Sequence, residues 1–104
     1  DFQGSRGLGD VYKRQDLSDS EFHNFQETNL NLHGSNMQNS HFYNLNMNGA
    51  NMSSADLSGA TFENVNLYNS DLSGAELTGV SWTNVICPAG GNSDDNGNTC
   101  ENNL

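Results

Sequence analysis

The side chains in this 104-residue chain with the most capacity for chemistry are three histidines, His23, His33 and His41, two cysteines, Cys87 and Cys100, and thirteen carboxylates. Histidines gathered with carboxylates would mark a metal site. A loop running Asn92-Ser93-Asp94-Asp95-Asn96-Gly97 echoes the opening of a calcium loop and makes Asn92, Asp94 and Asn96 candidate ligands. The echo is short: Asn stands at position one, and Asn103 stands at position twelve, where such a loop needs Glu. A polar turn explains the same residues. Serines are abundant but lack a histidine and an acid at triad spacing, and no phosphate-cradling glycine loop follows a strand. The expectation is a chain without catalysis, cofactor or metal.

The elements that carry these residues have an unusual composition. Only 33% of residues are hydrophobic, the mean hydropathy is −0.73 and the net charge is −10, figures that an ordinary reading assigns to disorder. Charged residues, however, make up just 15%, and the polarity comes from uncharged side chains, above all 18 asparagines. All three basic residues, Arg6, Lys13 and Arg14, lie in the first fifteen positions. Removing that segment also removes two of the 13 acids, Asp1 and Asp10, so the remaining 89 residues carry 11 acids and no Lys or Arg. The segment Gly7-Leu8-Gly9-Asp10-Val11-Tyr12-Lys13-Arg14-Gln15 resembles translated primer sequence found at the ends of metagenomic reading frames. Residues 1–15 are therefore read as a non-native leader, the alternative being a native basic one. No run of residues is long and apolar enough to span a membrane as a helix.

A strict period of five organises the rest. Every fifth residue from 17 gives Leu17, Phe22, Glu27, Leu32, Met37, Phe42, Met47, Met52, Leu57, Phe62, Leu67, Leu72, Leu77 and Trp82, of which only Glu27 is not apolar. Two positions before most of these stands a small residue, such as Ser35, Ser40, Ala50, Ala55, Ala60, Ser70 or Ala75. A period of five keeps no fixed face on a helix or a flat strand. It fits a short extended piece followed by a corner. Two residues after each central position from 22 to 82, twelve of thirteen residues are Gly or Asn, which tolerate the positive φ of a type II turn.

A period of twenty lies behind the five. Phe22, Phe42, Phe62 and Trp82 are twenty apart, and each is followed two residues later by Asn24, Asn44, Asn64 or Asn84. Four fives thus close one turn, and residues twenty apart should stack roughly 4.8 Å from each other in a parallel ladder. The aromatics would form one wall. Leu17, Met37, Leu57 and Leu77 form a second, Leu32, Met52 and Leu72 a third, and Glu27, Met47, Leu67 and Cys87 a fourth.

With units such as Ala50-Asn51-Met52-Ser53-Ser54, Ala55-Asp56-Leu57-Ser58-Gly59 and Ala75-Glu76-Leu77-Thr78-Gly79, the chain resembles the pentapeptide-repeat family, whose consensus is Ala-Asp/Asn-Leu-x-x. The resemblance covers about residues 15–85. It implies an all-β, right-handed, four-sided β-solenoid, here of about 3.5 coils over residues 16–86. Glu27 departs from the pattern, since a buried carboxylate is costly unless paired. Because Phe25 and Leu30 are large for small-residue slots, a register slip that turns Glu27 to solvent is expected there.

After Trp82 the repeat decays into residues 87–104. Cys87 and Cys100, thirteen apart around a Gly/Asn-rich loop, are read as a disulfide tying a terminal loop over the last coil. A disulfide implies an extracellular or periplasmic location. Two reduced cysteines, with Cys87 filling a core slot in a cytoplasmic protein, are the competing reading. The segment also resembles a Cys-Pro-x-Gly ending of some bacterial family members. The three histidines share no column, which disfavours a metal site. One outward column reads Asp16, Asn36, Asp56, Glu76. The resemblance offers two roles: a structural or protein-interaction module, and an acidic mimic of DNA acting on DNA gyrase. A calcium-binding cap is a further alternative. A protein partner is expected, with no direct nucleic-acid contact and no membrane insertion.

Overall fold

The computed structural model describes residues 16–24 and 28–104. The 1–15 leader and the expectation for Glu27 lie outside the described residues. Strands β1 (Glu21–His23), β2 (His41–Asn46), β3 (Thr61–Asn66) and β4 (Ser81–Thr83) form one parallel sheet in that order. Its register steps by twenty: Phe22 pairs with Phe42, Phe42 with Phe62 and Phe62 with Trp82. Two other sides pair at the same step through Asp16–Asn36–Asp56–Glu76 and Asn31–Asn51–Asp71. The fourth side pairs Asn46, Asn66 and Ile86. Four sides per twenty residues make a four-sided β-solenoid.

The corners arise from one backbone requirement. Every residue two after a central position, from Asn24 to Asn84, has φ between 51° and 75°. That is the left-handed region where Gly, and Asn among side-chain-bearing residues, cost least. At most corners an N–H to C=O bond spans three residues, as from Ser35 to Leu32 or Ala60 to Leu57. On the aromatic side the strand runs through the corner instead, so β2 and β3 reach six residues each.

Two of every five side chains point inward. Phe22, Phe42, Phe62, Leu32, Met37, Met47, Met52, Leu57 and Leu67 are fully buried, with Leu72 and Trp82 nearly so. The aromatic rings stack with centroids 4.5, 4.6 and 5.2 Å apart, so one wall is a continuous pile of π-faces. Leu17 and Leu77, at the two ends of their column, are only partly buried. Serine is tolerated inside because its hydroxyl finds a carbonyl of the preceding coil: Ser40 Oγ donates to Leu17 O at 2.8 Å and Ser70 Oγ to Met47 O at 3.2 Å.

The register slip expected at Leu30 does not occur. Leu30 is buried in its slot, Asn29 donates to the Asn48 carbonyl, and Asn51 donates to the Leu30 carbonyl, all at the regular step. Its column continues with Ala50 and Ser70, whose small side chains leave the volume that leucine needs. Bulk in one rung is offset by economy in the next.

Corner geometry can be tested at two glycines. A methyl group at Gly49 would collide with the side-chain oxygen of Asn29, whereas one at Gly79 meets nothing closer than 3.7 Å. Both positions also carry the left-handed φ, worth about 1–2 kcal/mol against alanine. Gly79→Ala and Gly49→Ala should therefore each cost about 1–2 kcal/mol, the exposed Asn29 side chain swinging off the added methyl in the second, as read from denaturant midpoints at constant slope.

Candidate functional site

The polar residues that could carry function are first of all corner hardware. Residues one before the central position accept hydrogen bonds from the backbone two residues later: Asn31 from His33, Asn46 from Asn48 and Asn66 from Tyr68. Where that position is Asp and a serine follows two later, the hydroxyl donates as well. Asp16 thus takes both bonds from Ser18, Asp56 from Ser58, and Asp71 from Ser73. These donors hold all three carboxyls below their ordinary value of 3.8, with the serine hydroxyl as the largest cause in each case. For Asp71 the nearby His33 adds a smaller Coulombic contribution.

The outward column Asp16, Asn36, Asp56, Glu76 forms as the repeat implies. Asp16 and Asp56 face water while tied to their own corners, and Gln38 Nε2 crosses to Asp56. Only Asp56 and Glu76 place acids on consecutive rungs of this column, Asn36 separating them from Asp16. Asp71, on another side, escaped the sequence reading. Its signal was present, an acid one before a central leucine and two before a serine, as at Asp16 and Asp56.

The histidines are dispersed. His23 and His41 lie on the outer face of the sheet in adjacent columns, His23 stacked on Tyr43 at 4.9 Å and His41 Nε2 lying 3.2 Å from Glu63 Oε1. His33 sits on another side, with Nδ1 2.8 Å from Ser53 Oγ. Among the described residues no three His, Cys, Asp or Glu side chains come close enough to hold a metal ion.

The turn asparagines form a side-chain ladder. Asn64 Nδ2 donates to Asn44 Oδ1 at 3.2 Å and Asn84 Nδ2 to Asn64 Oδ1 at 2.8 Å. Asn92 closes it, donating to Asn84 Oδ1 at 2.8 Å. The calcium-like loop is committed to the same cap. Asn92 Oδ1 accepts from Asp94 N, opening a short 3-10 turn at Ser93–Asp95, while Asp94 Oδ1 accepts from Asn84 N and Asn96 Nδ2 donates to Asn92 O.

Cys87 and Cys100 are bonded to each other, both fully buried, with Cα atoms 5.3 Å apart. Cys87 continues the wall of Met47 and Leu67, and the chain then reverses at Gly90 and Gly91. Buried Ser93 takes the Val85 N–H on its hydroxyl and gives its own N–H to the Val85 carbonyl. The cap therefore supplies the partners that a next coil would otherwise give to Asn84 and Val85. Trp82, at the end of the aromatic pile, has a buried indole N–H with no acceptor among the described residues. Phenylalanine, used on the other three rungs, brings no such donor.

These coils, corners and ladders define the chain as a four-sided parallel β-solenoid of five-residue units. The family model of the pentapeptide repeat region matches residues 8–86, and the chain belongs to the pentapeptide-repeat family. The crystal structure of a pentapeptide repeat protein from the thylakoid lumen of Arabidopsis thaliana shares the fold, with a TM-score of 0.58 at 23% identity over 88% of this chain and 79% of that one. No curated protein matches the sequence.

The corner acids and the aromatic pile can each be tested. Because the folded carboxyls of Asp16, Asp56 and Asp71 are depressed, their contribution is present above the unfolded value and is lost as pH falls through the folded one. The melting temperature should hold down to about pH 4 and decline below it. Asp56→Asn, which keeps the acceptor, should shift neutral-pH stability by less than about 0.5 kcal/mol and flatten part of that acid decline. Trp82→Phe should lie within about 1 kcal/mol of the parent, the orphan donor's removal offsetting lost volume, whereas Trp82→Ala should cost about 3–5 kcal/mol in denaturant unfolding.

Proposed function

We propose that this chain is a non-catalytic structural and protein-interaction module that works in an oxidising compartment, extracellular or periplasmic. The observation that carries the reading is where its reactive groups are spent. The Asp16, Asp56 and Asp71 carboxylates bind their own corners, the candidate calcium ligands build the cap, and both thiols are joined in a buried disulfide. What remains for a partner is shape and charge: a rigid stub whose residues from 16 onward include acids but no Lys or Arg. Rigid repeat stacks of this kind present surfaces rather than pockets for chemistry.

The compartment is the testable part. Without reductant neither cysteine should take up iodoacetamide even after unfolding in denaturant, as read by intact mass, since burial alone would shield free thiols in the native protein. Reduction should lower stability by about 3 kcal/mol, the loop-closure value for a crosslink of this span. Modification of both thiols in unreduced, freshly purified periplasmic protein would overturn the assignment.

A further inference from the structure

The cap engages the terminal coil from Asn84 onward and leaves its sides at 70–74 and 75–79 without next-coil backbone partners among the described residues. One coil back, the N–H groups of Met52, Ser54, Leu57 and Gly59 donate to the carbonyls of Asp71, Ser73, Glu76 and Thr78. Their successors, the N–H groups of Leu72, Gly74, Leu77 and Gly79, have no backbone acceptor among the described residues, and the Ser70 and Ala75 carbonyls, counterparts of the paired Ala50 and Ala55 carbonyls, accept no backbone N–H among them. Beside this edge lies an open cavity of about 460 Å³ lined by Leu72, Ala75, Leu77 and Leu104, with Asp71 and Ser73. Leu77, Ala75 and Val80 are only partly buried here, although their columns are otherwise core.

We propose that the edge at residues 70–74 docks an extended peptide by parallel strand addition, with one apolar side chain entering this cavity and basic residues flanking it. The template is set by the repeat itself. A three-residue segment that offers carbonyls from its first and third residues to Leu72 and Gly74, and its first N–H to Ser70, reproduces the bonds that Asp71 and Ser73 make one coil earlier. The middle side chain then points inward as Leu72 does. The corner at Gly74 limits a straight peptide to one side, so the site reads a short motif. Charge selects the partner: Asp71, Glu76, Asp94, Asp95 and Glu101 belong to this terminal part, and no Lys or Arg occurs after residue 15. A second copy of the chain would bring the same unbalanced acidic surface, so self-stacking is opposed where a cationic peptide is drawn in.

This deepens the interaction-module reading and rests on it. The test is titration of the full chain with a blocked peptide, Lys-Lys-Thr-Leu-Thr-Lys-Lys, followed by amide NMR. Binding should shift the Leu72 and Gly74 amides most and slow their exchange, with smaller shifts at Leu77 and Gly79 on the adjoining side. Replacing the peptide's Leu by Ser should weaken affinity about tenfold, and N-methylation of the Thr before it several-fold. Shifts confined to other acidic faces would overturn the edge while leaving an interaction module standing. Equal binding by the Ser peptide, no binding, or concentration-dependent dimerisation that buries the same four amides would overturn the proposal outright.

Discussion

The structure depends on placing one residue in five in the left-handed region of backbone space. Each such residue turns the chain through a corner, and only because corners recur at a fixed interval do residues twenty apart meet in register. Everything else is downstream of that repetition: the aromatic pile, the paired backbone ladders and the asparagine column all need their members to arrive at the same height on each turn. Asparagine and glycine share the task because both lower the cost of positive φ. At Asn44, Asn64 and Asn84 asparagine adds an amide that bonds to the next rung, so in that column the residue that permits the turn also ties successive turns together.

The same economy explains the low hydrophobic content. Two inward positions in five bury the core, and some of those are serines whose hydroxyls bond a carbonyl one coil away. The outward positions are not idle. An acid that looks like surface charge in the sequence is, at Asp16, Asp56 and Asp71, an acceptor for its own corner's N–H and serine hydroxyl. The chain's negative charge is thus partly a by-product of turn construction, since Asn serves the same backbone bond at Asn31 and Asn46 without any charge.

The repeat was legible because its period is incompatible with every ordinary element, and the walls, corners and pairing step follow from counting fives and twenties. Legibility failed where a residue's fit depends on its neighbours in the stack rather than on its own size. Leu30 looks too large for its slot until Ala50 and Ser70 are seen beside it. The cap was half legible. A cysteine pair in a polar loop pointed to a closure, but Asn92 as the last rung of the asparagine ladder, Ser93 as a buried partner for Val85 and Asp94 as acceptor for Asn84 are not periodic features. Their chemistry depends on the chain folding back on itself, and no spacing rule encodes that reversal.

The cap also constrains how such a molecule can change length. It fits the terminal coil through Asn84, Val85 and the wall ending in Cys87, so it recognises one particular side of the square. Inserting a single five-residue unit upstream of Trp82 would carry Asn84 and its cap round by a quarter turn, off the Asn64 rung and the aromatic pile beneath them. Only whole coils of twenty residues preserve the match. The length of this solenoid is therefore quantised by its lid, and the unit of its growth is four repeats rather than one.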